Sequence, residues 1–183
     1  MKRNLSIIAA LALGLLAQGC ILTSGQIRLS FELPKFAVAT SSSTITRENI
    51  DLNDESEFTD NKEKLKDLSD IAILGKITNG GSSDIRVSVW MTPDTTSHTT
   101  ALGLNADGTK VKLWGPFQLK KDESRLIDWD ESAKLFDKAG KTALLNEAKA
   151  GNGRFSIYAV AEEAVYTFSV SNGVLVFVLD AGI

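Results

Sequence analysis

The chain contains one histidine and one cysteine, His98 and Cys20, so few side chains could act as nucleophile, general base or soft metal ligand. Hydrolysis by a Ser-His-Asp mechanism needs all three groups to converge in space. The sequence has no Gly-x-Ser-x-Gly motif, and His98 lies in a polar loop rich in threonine. One histidine also falls short of the three protein ligands of a catalytic zinc site. We therefore predict no catalytic residue, no cofactor and no enzymatic activity, and keep a hydrolase built on His98 as the least favoured alternative.

An acidic stretch begins at Asp51, where Asp51, Asn53 and Asp54 have the spacing of the start of a calcium loop. The helix–loop–helix version of that loop needs Gly at its sixth position and Glu at its twelfth. Ser56 and Lys62 occupy those positions here. We therefore predict no metal site and keep the first three residues only as weak calcium candidates. The favoured interpretation is a solvated acidic helix start, which suits the positive end of the helix dipole.

Two tryptophans, Trp90 and Trp114, are predicted to lie on the strand faces opposite the apolar residues that flank them, such as Val89 and Leu113. If that second face is exposed, the flat indole rings could stack on sugars, as in a carbohydrate-binding module. Large aromatic side chains are mostly buried, however. The favoured interpretation is that both rings cover edges of the core, and sugar stacking by Trp90 and Trp114 stays an alternative.

The first residues have the organisation of a secretory leader. Lys2 and Arg3 are followed by Leu5–Ala17, an apolar run of thirteen residues without a charge. A membrane-spanning helix needs about 20 such residues, whereas the apolar part of a cleaved signal peptide has roughly 7–15. We therefore predict that residues 1–19 are removed from the mature protein.

Small residues at Ala17 and Gly19 precede Cys20. This arrangement resembles the lipobox of bacterial lipoproteins. The resemblance implies cleavage before Cys20, a diacylglyceryl thioether on its sulfur and a fatty acyl group such as palmitate on its amino group. Ile21, where Asp would imply retention in the inner membrane, implies the outer membrane of a two-membrane envelope. Residues 17–19 also fit an ordinary cleavage site, which would leave Cys20 as a free thiol in an oxidising compartment.

Composition limits the class of partner. The 183 residues carry a formal net charge of −3, and the leader contains two basic residues and no acidic one, so cleavage makes the charge more negative by two. Nucleic-acid binding calls for a basic patch, so we predict no nucleic-acid partner.

A single cysteine excludes a disulfide within one chain, and apolar packing must stabilise the domain. We expect residues 20–25 to form a tether and residues 26–183 a single domain.

Alternating apolar residues predict strands along most of the chain. The first such run, at residues 26–34, has Ile27 and Leu29 on one side and polar residues on the other. Similar runs at 71–77 and 85–91 flank a turn cluster at 79–83 and predict a hairpin.

Two more turn signals predict further hairpins. Residues 105–108 have the composition of a hairpin tip that leads into a strand from Val111. Near the carboxyl terminus, Asn172-Gly173 separates two strand-like runs at 165–171 and 174–180, and a two-residue Asn-Gly loop is typical of a type I′ hairpin.

Helical spacing interrupts the strands twice. Phe58, Leu65 and Leu68 fall on one side of a 3.6-residue period and predict a short helix over 57–68.

A second helix is predicted to begin near Glu131, with Asp128 or Asp130 as its N-cap. Gly140 leaves open whether that helix runs unbroken to Lys149.

Together these patterns predict a mainly β protein, an antiparallel β-sandwich of immunoglobulin-like architecture with one or two short helical insertions. The expected function is that of a lipid-anchored cell-envelope protein with a non-enzymatic binding or scaffolding role. The lipid on Cys20 would attach it to the membrane, and its partner would be an envelope protein or a glycan. A carbohydrate-binding module and a hydrolase are the alternatives.

Overall fold

A computed structural model describes residues 24–33, 36–39, 45–93, 97–163 and 165–182, with Ser24, residues 36–39 and Thr46 described by their backbone alone. The leader, Cys20 and the rest of the tether before Ser24 lie outside the described residues. Two antiparallel sheets face each other across one main apolar core. The predicted mainly β sandwich is therefore confirmed.

The first sheet contains β1 (Ser24–Leu33), β2 (Phe36–Ala39), β4 (Leu65–Asn79), β7 (Ser124–Ile127) and β9 (Thr167–Gly182). Its order is β1-β9-β4-β7, and β2 continues the edge that β1 forms against β9. The second sheet contains β3 (Thr46–Asp51), β5 (Ile85–Pro93), β6 (Val111–Leu119) and β8 (Arg154–Ala161). Its order is β3-β8-β5-β6.

The core forms where β9 of the first sheet faces β8 of the second. Phe177 of β9 packs edge-on against Phe31 of β1, with ring centroids 5.6 Å apart, and against Phe155 of β8 at 6.4 Å. Phe177 and Phe155 are almost wholly buried. Burying a side chain of this size stabilises the fold by roughly 1.5–3 kcal/mol, so these contacts tie the two sheets together.

The predicted hairpin at Asn172-Gly173 is wrong, because β9 passes through both residues without a break. Asn172 has the left-handed φ of 51° that a turn would use, but here it forms a β-bulge in which Gly75 of β4 faces both residues. A Cβ on Gly75 would lie 3.0 Å from the backbone oxygen of Asn172. Strands pair with β9 along both of its edges, and that hydrogen bonding outweighs the local turn preference.

The predicted hairpin between 71–77 and 85–91 is also wrong, because β4 and β5 lie in different sheets. The side chain of Asn79 stabilises the loop that connects β4 to β5. Its Oδ1 accepts a hydrogen bond from the Gly81 amide at 2.9 Å, and its Nδ2 donates to the carbonyl oxygens of Ser83 and Lys120 at 2.8 and 2.9 Å. The alternation marks each strand correctly but does not specify its sheet.

The predicted helix over 57–68 is wrong for most of its length. A 3₁₀ turn at Leu52–Asp54 leads to α1 (Ser56–Thr59), which contains the buried Phe58, and a second 3₁₀ turn follows at Lys62–Lys64. The apolar residues Leu65 and Leu68 already belong to β4 and pair with β9. The spacing of these apolar residues is compatible with a helix and with a strand. Hydrogen bonding to β9 selects the strand.

The predicted hairpin tip at 105–108 lies instead at the end of α2 (Ala101–Ala106). Thr100 caps this helix, with its Oγ1 accepting a hydrogen bond from the Gly103 amide at 3.1 Å. Strands β5 and β6 do pair, but the chain between them carries a helix that covers the outer face of the second sheet.

Two helices follow β7, α3 (Trp129–Lys134) and α4 (Lys138–Lys149). Asp128 is the N-cap of α3, as predicted, and accepts a hydrogen bond from the Glu131 amide at 2.8 Å. The helix predicted from Glu131 does not run unbroken to Lys149, because residues 135–137 separate α3 from α4. Gly140 lies inside α4 and does not cause this break. In the described part of the chain, no helix is long and apolar enough to cross a membrane.

Candidate functional site

His98 lies in the loop before α2 and is hydrogen-bonded to the residue that follows this helix. Its Nε2 is 2.7 Å from Oδ2 of Asp107. The other carboxylate oxygen of Asp107 accepts from the hydroxyl and the amide of Thr109, at 2.6 and 2.7 Å. The side chains of His98 and Asp107 are only 15% and 7% exposed. The pair joins the two ends of the loop that carries α2.

Hydrogen bonding stabilises the charged form of Asp107. The Thr109 hydroxyl, the His98 ring and the Thr109 amide together lower the pKa of Asp107 to about 2. An ionised carboxylate is an acceptor only, so His98 Nε2 is the donor in this pair. A carboxylate that orients a histidine is also the arrangement found in hydrolytic triads.

A triad would need a nucleophile at the other ring nitrogen of His98. A Cβ placed on Gly103 would lie 3.4 Å from this Nδ1, so the ring edge faces the backbone of α2. Among the described residues, no hydroxyl is hydrogen-bonded to Nδ1. The backbone amide of His98 donates to Tyr158 Oη at 3.3 Å. This geometry fastens α2 to β8 and gives the ring a structural role.

Trp90 lies partly buried on the outer face of the second sheet, beside the small apolar cluster of Leu104 and Tyr158. The Nζ atom of Lys110 lies 5.2 Å from the centroid of the Trp90 ring. Lys110 is held there by a 2.9 Å hydrogen bond to the carbonyl oxygen of Asn105. A sugar could stack on this indole only after Lys110 moves away.

Trp114 is fully buried in the main core, as the favoured interpretation expected, so its ring is not accessible to a sugar. Its Nε1 donates to the carbonyl oxygen of Ser132 at 3.1 Å. The alternation fails here because the pairing of β5 with β6 is irregular. Gly115 has a φ of 98°, and a bulge at this point turns consecutive side chains to the same side. Leu113 and Trp114 are consequently both inaccessible to solvent.

The calcium candidates Asp51 and Asn53 are engaged with neighbouring residues. One carboxylate oxygen of Asp51 accepts from the amide and the side chain of Asn53, at 2.9 and 2.7 Å, and the other from Arg154 Nε at 2.7 Å. Burial alone would raise the pKa of Asp51, but these hydrogen bonds outweigh burial and lower it.

Asn53 Nδ2 also reaches the carbonyl oxygen of Asn152 at 2.8 Å, and Asp54 is exposed. Within the described ranges, no three histidine, cysteine or carboxylate side chains cluster as metal ligands. Asp51 and Asn53 therefore cap the 3₁₀ turn after β3 and connect it to the start of β8.

An inter-sheet cavity that the sequence did not predict is lined by β1, β4, β7 and β9 of the first sheet and by β3, β5, β6 and β8 of the second. The void measures about 40 Å³ and its walls are almost entirely apolar. One ionisable group among the described residues, Glu48 of β3, lines it. Glu48 and Ile50 share the inner face of β3, since residues two apart on a strand point the same way. That spacing could have identified Glu48, but the hydroxyl-rich residues before it hid the strand.

Fold and geometry define this chain as a two-sheet antiparallel β-sandwich with an apolar cavity between the sheets. Comparison with protein-family models and with curated proteins finds no match. Twelve chains of solved structures are similar to it. One belongs to the structure described as "Cryo-EM structure of Mud crab tombus-like virus at 3.3 Angstroms resolution", with 9% sequence identity and a TM-score of 0.36 over 88% of this chain and 83% of that chain. A likeness this distant carries no argument about function.

Proposed function

We propose that this chain is a lipid-anchored protein of the bacterial cell envelope that binds a ligand or partner and does not catalyse a reaction. The observation that carries the proposal is the position of Cys20. It is the single cysteine of the chain, it follows a thirteen-residue apolar run that ends at Ala17 and the small residue Gly19, and it lies four residues before the start of β1. One acyl chain gives only marginal membrane binding, whereas two or more give stable attachment.

The short distance between Cys20 and the sandwich supports this proposal. Strand β1 begins at Ser24, so four residue steps of roughly 3.4 Å allow at most about 14 Å between the two Cα atoms. Ser24 pairs with Gly182 at one end of the first sheet, and Leu33 pairs with Gly173 nine residues further along. An anchor on Cys20 would hold the Ser24 end near the bilayer and turn the Leu33 end away from it.

Labelling with a palmitate analogue and detergent phase partitioning test the anchor. We expect the native chain, expressed in a two-membrane bacterium, to take up the label and enter the detergent phase. Cys20→Ala should lose both properties. The matched control is Cys20→Ala combined with Ser24→Cys, which restores one thiol outside the lipobox. Label on this double variant, or continued partitioning of Cys20→Ala, would overturn the proposal.

A hydrolase is the second candidate, favoured by the hydrogen bond between His98 and Asp107. A fluorophosphonate probe reacts with activated serine nucleophiles and tests this directly. We expect no labelling of the purified protein. Labelling that disappears in His98→Ala, while Lys110→Ala still reacts, would replace the binding proposal with a hydrolytic one.

A further inference from the structure

Two edge strands, one from each sheet, meet at the inter-sheet cavity. Leu33 ends β1, Glu48 lies on β3, and both residues line the cavity and are partly exposed. The opposite side of the sandwich is different, because α3 packs on β4 there and α4 on β6. The cavity reaches Trp114 of β6 and Ile127 of β7 on that side, where both residues are buried. Access is therefore at the edge formed by β1 and β3, where Leu33 and Glu48 are partly exposed.

The size of the void limits what can enter. Ile73, Ile77 and Phe168 from the first sheet and Val89 and Ile157 from the second form much of its wall. An engineered apolar cavity of about 150 Å³ binds benzene, so a void of about 40 Å³ accepts a short alkyl group and not an aromatic ring or a whole acyl chain. Apolar walls favour such a group over water.

Glu48 gives the site its chemical preference. Burial raises the pKa of Glu48, and within the described residues no cation or hydrogen-bond donor contacts its carboxylate. The neighbouring cation Arg47 points to the other face of β3, where its guanidinium meets the hydroxyl of Ser97. A carboxylate at an apolar mouth is stabilised most by a charged donor, since hydrogen bonds between ionised groups are the strong ones.

We propose that the inter-sheet cavity binds a small amphiphile with a primary ammonium group on Glu48 and a short alkyl group in the void. This inference rests on the proposed binding function and names its ligand class. The cavity includes Leu33, nine residues along β1 from Ser24. That is about 30 Å at 3.3 Å per residue. With the Ser24 end held near the bilayer by the proposed anchor, we expect the ligand to reach the cavity from the aqueous side.

Methyl NMR spectra of the full-length protein in nanodiscs, titrated with n-butylammonium, test the proposal. We expect saturable shifts at Ile73, Ile157 and Val170, which line the void. Sodium n-pentanoate has the same n-butyl group and the opposite charge, and it should bind at least tenfold more weakly. Equal binding of the two ions, or no saturable shift with either, would overturn the proposal.

Three variants separate the charge from the void. Glu48→Gln should weaken n-butylammonium binding at least tenfold, whereas Glu32→Gln, an exposed change on β1, should not alter it. Ala159→Leu fills the void and should abolish binding, provided that circular dichroism shows a native spectrum. Unchanged affinity in Glu48→Gln would refute the role of the carboxylate even if Ala159→Leu does not fold. These results are independent of the anchor, because Cys20→Ala should bind n-butylammonium normally.

Discussion

The hydroxyl oxygen of Ser132 lies 2.7 Å from the backbone nitrogen of Ile73 and accepts its hydrogen bond. Ile73 belongs to β4, which pairs with β7 only from Gly75 onwards, so a helix side chain replaces the missing strand partner. The indole of Trp114, from the other sheet, donates to the same residue. Ser132 therefore connects both sheets to α3 on the closed side of the sandwich.

Ser132→Ala should lower the free energy of unfolding by about 1–3 kcal/mol, because it leaves the buried amide of Ile73 without its acceptor. Urea denaturation with an unchanged m-value is the measurement. Ser124→Ala is the control, since that exposed hydroxyl contacts only Thr78 among the described side chains, and it should change the free energy by less than about 0.5 kcal/mol. Equal effects of the two changes would show that the Ser132 hydrogen bond is not important.

Gly140→Ala should destabilise the protein although Ala is the better helix former. In an exposed helix this change would stabilise by about 1 kcal/mol. Here the added Cβ would lie 2.4 Å from the carbonyl oxygen of Lys112 and 2.7 Å from the Cα of Leu113, and both are backbone atoms that cannot move aside cheaply. Thermal unfolding should show a lower Tm for Gly140→Ala. Gly108→Ala, with no atom within 4 Å of its Cβ, should be tolerated, and a raised Tm for Gly140→Ala would contradict this packing.

Strand β1 and Gly140 illustrate what the sequence could and could not predict. The alternation at Ile27 and Leu29 predicted a strand and its buried side, because the period of a strand is a local property. The closeness of α4 to β6, which excludes a side chain from Gly140, depends on packing between distant segments. No local pattern contains that information.

The errors have the same origin. Asn172-Gly173 has the composition of a turn, yet partners on both edges of β9 keep the strand continuous through a bulge. Alternation places Trp114 on the face opposite Leu113. The irregular backbone at Gly115 turns both side chains into the core instead. Glu48 was missed as a site residue because the hydroxyl-rich residues before it hid its strand, and because the cavity that it lines forms only where the two sheets pack together. The periodicity of the sequence predicts where strands lie. The pairing of strands determines which sheet each belongs to and where a bulge changes the direction of its side chains.

Titration of Asp107 should show a pKa of about 2. A lowered pKa contributes stability that is present above the ordinary value of 3.8 and is lost as the pH falls through about 2. Thr109→Val removes the largest cause and should raise the pKa of Asp107 towards 3.8. Carbon-detected NMR of the Asp107 carboxyl group measures both values. Thr142→Val removes a hydroxyl that bonds within α4 and should leave the titration unchanged, and a native pKa near 4 would contradict the hydrogen-bonded geometry.

Glu48 should show the opposite dependence on pH. Burial raises its pKa, so the folded state favours the neutral carboxyl, and this contribution is lost as the pH rises through the raised pKa. Glu48→Gln should therefore have a higher Tm than the native chain at pH 7 and about the same Tm at pH 3.5, measured by calorimetry without ligand. Glu32→Gln should show no such difference between the two pH values. A Glu48→Gln variant that is less stable than the native chain at pH 7 would show that the carboxylate has a stabilising partner.

The central claim, that Cys20 is the lipidated first residue of the mature protein, is tested most directly by the mass of the amino-terminal peptide. Mass spectrometry of the protein extracted from bacterial membranes should identify a peptide that begins at Cys20. Its mass should exceed that of the unmodified sequence by a diacylglyceryl group and an additional acyl chain. A mature chain that begins at Cys20 with a free thiol, or at any other residue, would contradict the account.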